Sequence, residues 1–120
     1  MAKPGQSGLA RVLSAVRYSW QGLRAQWKYE AAFRQEVCLF FIALPFALWL
    51  GDTGLERAIL IFSVGMVLIV ETFNSSVEAV VDRISNEHHE LSGRAKDLGS
   101  AAVMLALMLA VVVWGVVLLS

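Results

Sequence analysis

Apolar residues gather in three long runs, and the polar positions that interrupt them carry most of the information. The run from Val37 to Leu50 is shorter than the about 20 residues that cross a bilayer. A first span therefore borrows Ala31 to Phe33 and covers residues 31–50, with Arg34 and Glu36 tucked near one interface, Pro45 inside it and Trp49 at its far end. Gly51-Asp52-Thr53-Gly54 reads as a tight turn. The run Ile59 to Ile69 continues without a breaker into Val70-Glu71-Thr72-Phe73-Asn74-Ser75-Ser76-Val77-Glu78-Ala79-Val80-Val81-Asp82, which predicts one helix over residues 56–81. A third span is expected over residues 98–119, with Gly99, Ala102, Ala106 and Ala110 as a small-residue stripe for close packing. Ahead of the spans the period changes. Leu9, Val12, Leu13, Val16, Trp20, Leu23 and Trp27 recur at helical spacing, with Arg17, Arg24 and Lys28 at the edge of that stripe. The pattern predicts an amphipathic surface helix over residues 9–28, its tryptophans at headgroup depth.

On the second span, Glu71, Asn74, Ser75, Glu78 and Asp82 share one stripe at about 100° per residue, while Phe73, Val77, Ala79 and Val80 lie away from it. Ionisable groups on a membrane helix cost roughly 2.5 to 3.5 kcal/mol each on insertion scales, so such a stripe points to function. Helix packing alone is served by a lone Ser, Asn or Gln and needs no carboxylates. Counting about 20 residues from Ala58 places Glu71 about 9 Å inside the inner interface and Glu78 at it. One carboxylate faces the acyl region and the other faces water. That arrangement suits a meeting of a lipid head with a water-soluble reactant.

Composition agrees with the membrane class: 120 residues, 58% hydrophobic and 17% charged, are too apolar for a soluble domain of this size. The formal net charge is zero but unevenly placed. Lys3, Arg11, Arg17, Arg24, Lys28 and Arg34 crowd the N-terminal segment, whereas Asp52, Glu56 and Arg57 sit in the first turn, so the N-terminus is expected to be cytoplasmic. Cys38 stands alone in an apolar run, which excludes an intramolecular disulfide. Residues 83–97 read as a polar cytoplasmic segment broken at Ser92-Gly93. Its Glu87-His88-His89-Glu90 resembles a metal cluster in composition, but adjacent helical residues point apart and no pair has zinc-site spacing. These residues are better read as lining a nucleotide pocket.

Glu71-Thr72-Phe73-Asn74-Ser75-Ser76-Val77-Glu78, then His89-Glu90-Leu91-Ser92-Gly93-Arg94-Ala95-Lys96-Asp97-Leu98-Gly99-Ser100, resembles the prokaryotic integral-membrane diacylglycerol kinase family. Tyr18-Ser19-Trp20-Gln21-Gly22-Leu23-Arg24 and Glu30-Ala31-Ala32-Phe33-Arg34-Gln35-Glu36 look like the same family's surface-helix motifs. The resemblance runs from about Arg11 to the end of the chain. It departs at His88, where the family often has Tyr, and before Arg11.

The resemblance implies an all-α membrane protein, a surface helix plus three transmembrane helices, assembled as a homotrimer with shared active sites in the bacterial inner membrane. It implies transfer of the ATP γ-phosphoryl group to the primary hydroxyl of diacylglycerol, without a role for nucleic acid. By the same likeness Glu71 matches the general base, and Glu30 and Glu78 match the carboxylates that hold Mg2+. Expected ATP-binding positions are Arg11, Tyr18, Glu30, Glu78, Glu87, His88, His89, Glu90, Lys96 and Asp97. Expected substrate-binding positions are Arg11, Ser19, Trp20, Arg24, Arg34, Gln35, Glu36, Glu71, Asn74 and Ser100. No P-loop or protein-kinase glycine loop is present, and phosphoryl transfer can proceed without one, since it needs mainly positioning and charge neutralisation. Two other readings stand beside this one: a kinase of the same fold acting on undecaprenol, and a small proton-relay or transport subunit whose Glu71-Glu78-Asp82 stripe is a relay.

Overall fold

A computed structural model of the chain describes residues 7–84 and 89–120, and every described element is a helix: α1 (Gly8–Tyr29), α2 (Ala31–Leu50), α3 (Gly54–Ile84) and α4 (Glu90–Leu119). The last three are long and apolar enough to cross a membrane. The chain divides into one unit ending at Ala31 and a second from Ala32 to Ser120.

In the first unit, α1 starts at Ser7, whose hydroxyl accepts the Ala10 N–H at 3.2 Å and so satisfies one of the orphan amides of the first turn. It ends where Glu30 turns extended, its N–H still donating to the Gln26 carbonyl at 3.0 Å. Leu13, Val16, Trp20 and Trp27 on its apolar stripe are exposed.

In the second unit, α2 runs through Pro45 without interruption. Its C-terminal carbonyls are satisfied from the next helix: Arg57 Nε donates to the Leu48 and Gly51 carbonyls, each at 3.1 Å. Gly51 has to be glycine, because a Cβ there would meet Arg57 Cγ at 2.6 Å and the Ala47 carbonyl at 3.0 Å. The turn ends in a capping box. Thr53 Oγ1 accepts the Glu56 N–H at 3.1 Å, while Glu56 reaches back to the Asp52 N–H at 3.0 Å.

Helices α3 and α4 form the main packed pair. The buried positions of α3 are Leu60, Ser63, Val64, Val67 and Glu71, a stripe with helical spacing, so the carboxylate continues the face that packs and does not turn to lipid. On α4 the buried positions are Val103 and Ala110. Gly99 and Ala106 are half-buried on the same face, but Ala102 is exposed, so the packing stripe runs through Val103 in its place. Near the turn end, Trp114 Nε1 donates to the Leu60 carbonyl and to Ser63 Oγ, both at 3.2 Å, and Ser63 donates to Leu60 at 2.8 Å. This knot ties α4 to α3 inside the apolar zone. A wholly apolar groove of about 400 Å3 opens beside it, lined by α2, α3 and α4; Glu71 is not part of its wall.

A second expectation fails. Ser92-Gly93 does not break the chain: both residues lie inside α4, which starts at Glu90, well before the apolar stretch. The His89 side chain caps the helix by accepting the Leu91 N–H at 3.0 Å, and Glu90 pairs with Arg94 one turn on. These contacts and the helix formers around them outweigh the about 1 kcal/mol that a helical glycine costs. At 31 and 30 residues, α3 and α4 are each about 45 Å long, against a hydrocarbon core of about 30 Å. Their polar ends therefore project well beyond the apolar zone as a helical pair.

Candidate active site

The centre of the site lies where the buried stripe of α3 turns from apolar to polar. Glu71 is 5% exposed, the last member of the stripe that begins at Leu60. Glu36, on α2 of the same unit, lies within electrostatic reach of Glu71, and its Oε2 is buried with no hydrogen-bond partner. Two carboxylates, one buried and one half-buried, thus act on each other through space. Both lie on spanning helices, where such groups are expensive to place.

One turn further, Asn74 Nδ2 donates to Glu78 Oε1 at 3.1 Å, and the buried Asn74 Oδ1 has no partner. Ser75 Oγ donates to the Glu71 carbonyl at 3.1 Å, which turns the hydroxyl back onto its own helix. Opposite Asn74 stands Gly99 of α4. A Cβ at residue 99 would collide with Asn74 Oδ1, so the glycine is what lets the amide lie between the helices. The next turn of the stripe carries Asp82, whose Oδ1 lies 2.6 Å from Lys96 Nζ on α4. Glu78 acts on the same ammonium through space. From the membrane outward, the α3 face thus offers Glu71, Asn74, Glu78 and Asp82, with Gly99 and Lys96 of α4 set against it.

The other expected positions are distributed as follows. Arg34 and Glu36 are half-buried on α2, and Gln35 is exposed. On α4, Ser100 and Asp97 are exposed, Glu90 is engaged with Arg94 at 3.4 Å, and His89 has its Nδ1 committed to the helix cap, which places the ring proton on Nε2. Arg11, Ser19, Trp20 and Arg24 are exposed along α1, while Tyr18 is half-buried and stacks beneath Arg17, whose carbon Cζ lies 5.1 Å from the ring centroid. Glu30 ends that helix, in the first unit. Glu87 and His88 lie outside the described residues.

As a metal ligand, Glu78 has the right chemistry: hard carboxylate oxygens suit Mg2+, and with Oε1 taken by Asn74 its second oxygen is left for a cation. Among the described residues no three His, Cys, Asp or Glu side chains converge on one point. Mg2+ commonly takes only one or two carboxylates from a protein and fills its shell with phosphate and water, so the donor set fits.

Sequence reasoning missed three features here: the Gly99–Asn74 approach, the Asp82–Lys96 pair and the Arg57 cap. The first had a signal in the glycine next to Ser100. All three join residues of different helices, and the other two have no such signal.

The sequence pattern of the family described as "Prokaryotic diacylglycerol kinase" matches residues 17–118. A protein named diacylglycerol kinase from Escherichia coli (strain K12) is 54% identical over 114 residues, 95% of this chain and 93% of that one. Proteins of the same name from Haemophilus influenzae and Pseudomonas aeruginosa are 49% and 48% identical, over 91% and 97% of this chain and 92% and 94% of theirs.

Proposed function

The chain belongs to the prokaryotic diacylglycerol kinase family and is a multi-pass membrane diacylglycerol kinase, and we propose that it phosphorylates its lipid with ATP at the inner face of the cytoplasmic membrane. The observation that carries this reading is the α3 stripe: a buried Glu71, then the Asn74–Glu78 hydrogen bond one turn outward, on a helix long enough to pass from hydrocarbon into water.

In this reading the primary hydroxyl of diacylglycerol reaches Glu71 from the inner leaflet. Glu71 accepts its proton as the oxygen bonds to the γ-phosphorus and the bond to the β-phosphate oxygen breaks, releasing ADP and phosphatidic acid. Glu78 and Glu30 would hold Mg2+, which when bound neutralises charge on the β- and γ-phosphates. Asn74 orients Glu78 through the bond described above. Lys96 faces the phosphates, with Arg11, Tyr18, His89, Glu90 and Asp97, together with Glu87 and His88, completing the nucleotide site. Arg11, Ser19, Trp20, Arg24, Arg34, Gln35, Glu36 and Ser100 border the lipid.

We take α1 to lie on the membrane surface with Trp20 and Trp27 at headgroup depth, the N-terminus to be cytoplasmic, and three chains to form a homotrimer with active sites shared between subunits. The apolar stripe of α1, the basic N-terminal segment and the family's motifs support these readings. The relatives' shared name favours diacylglycerol over a polyprenol, and a relay subunit is not favoured either. The test is to incubate purified protein with Mg2+, γ-labelled ATP and a panel of lipid alcohols, and to resolve the products by thin-layer chromatography. Label in phosphatidic acid is expected; label in undecaprenyl phosphate alone would overturn the acceptor.

A further inference from the structure

The contact between Lys96 and Asp82 is short, 2.6 Å, yet the two side chains are 43% and 62% exposed, and exposed ion pairs add little to folding stability. Its place explains it better than its strength does. Asp82 sits near the end of α3, one helical turn beyond Glu78 on the same face, and Lys96 sits in the second turn of α4. Arg94, two residues away, is spent within its own helix on Glu90. An ammonium on a four-carbon stem has much rotamer freedom to lose before it can meet a phosphate. Lysine has three N–H donors, so one can stay on Asp82 while two remain for phosphate oxygens.

We infer that Asp82 is a positioning residue for nucleotide binding, which clasps Lys96 from across the α3–α4 pair and holds its ammonium beside Glu78, where a metal-bound polyphosphate would lie. The inference rests on the reading of Lys96 as a phosphate ligand. Asp82 itself, an anion, does not touch the nucleotide. Its place on α3 keeps the cation in register with the metal-binding carboxylate, so that positive and negative groups alternate along the face that the phosphates meet.

The test is direct binding of a non-hydrolysable ATP analogue with Mg2+ to the full-length protein in detergent micelles. It compares wild type with Asp82→Asn, Asp82→Glu, Lys96→Met and the double variant Asp82→Asn/Lys96→Met. Asp82→Asn is expected to raise Kd about fivefold, the upper range for an exposed pair, and Asp82→Glu to restore most of it. In the Lys96→Met background Asp82→Asn should add nothing, an outcome that a purely structural role for Asp82 would not give. If Lys96→Met weakens binding but Asp82→Asn leaves it unchanged or tightens it, the positioning role is overturned while the nucleotide role of Lys96 stands. An equal effect of Asp82→Asn in both backgrounds also overturns it, since Asp82 would then act by another route. If Lys96→Met binds like wild type, the nucleotide role of Lys96 fails, and the positioning role with it.

Discussion

Substituting Gly99 by alanine tests whether the amide between α3 and α4 serves the reaction or only the packing. The added Cβ would collide with Asn74 Oδ1 and lie 3.2 Å from Asn74 Cγ, but only 3.8 Å from Asn74 Cβ, an ordinary contact. The backbone can therefore stay while the amide rotates away and gives up its bond to Glu78. Alanine gains about 1 kcal/mol over glycine in helix propensity, and a hydrogen bond to a charged group is worth about 1.5 to 3 kcal/mol. The two largely offset, so stability in detergent should fall by no more than about 2 kcal/mol. If Asn74 holds Glu78 for phosphoryl transfer, the whole of the lost bond appears in the transition state, and kcat/KM should fall about 10- to 100-fold. Gly115 is the control: it lies on the same helix with nothing within 4 Å of its added Cβ, so Gly115→Ala should leave activity unchanged. Initial rates over a range of MgATP concentrations at saturating diacylglycerol, which give kcat/KM for the nucleotide, with thermal unfolding measured on the same preparations, separate the two effects. Wild-type kcat/KM in Gly99→Ala would refute the role given to the Asn74–Glu78 bond.

Trp114→Phe removes the donor shared by Leu60 and Ser63 and should lower resistance to unfolding in micelles by about 0.5 to 1.5 kcal/mol with kcat unchanged, because the knot lies far along the stripe from Glu71; a large loss of kcat with intact stability would contradict this. Glu78→Ala and Glu30→Ala should each raise the Mg2+ concentration needed for half-maximal rate, and unaltered magnesium titrations would remove both residues from the metal site. Across diacylglycerols of increasing chain length in mixed micelles, kcat/KM should rise and then level off, with glycerol a very poor acceptor, since each buried methylene contributes about 0.8 kcal/mol of anchoring. Equal efficiency for glycerol and a medium-chain diacylglycerol would instead mean a site open to water.

The apolar helices and the polar stripe of α3 were legible because both are properties of one helix at a time. Glu71, Asn74, Glu78 and Asp82 share a face by their spacing alone, and that face continues the packed stripe of α3 from the buried Glu71 through the half-buried Asn74 and Glu78 to the exposed Asp82. What the sequence concealed is what forms between helices. Nothing in Arg57 says that it caps α2, and nothing in Trp114 says that its indole reaches Leu60 across the α3–α4 pair. Ala102 looked equivalent to Gly99 and Ala106 by size, but Val103, four residues after Gly99 and three before Ala106, holds the buried position on that face and leaves Ala102 exposed. Ser92-Gly93 looked like a break because a glycine next to a serine weakens a helix locally; the cap at His89 and the Glu90–Arg94 pair, acting over a 30-residue helix, outweigh it. Lys96 is thereby carried on a rigid element set against α3 and not on a loop, which is the condition for its contact with Asp82.

The central claim is that the buried carboxylate of Glu71 accepts the proton of the lipid hydroxyl. Glu71→Gln is close in size and leaves the stripe able to pack, but its amide has no basic carboxylate to accept that proton. Single-turnover phosphorylation of diacylglycerol by this variant, at saturating ATP and Mg2+ in protein shown to be folded by its unfolding transition and size in micelles, measures the claim directly. The expected result is a phosphoryl-transfer rate at least about 100-fold below wild type with nucleotide binding retained. A rate within a few-fold of wild type would place the base elsewhere.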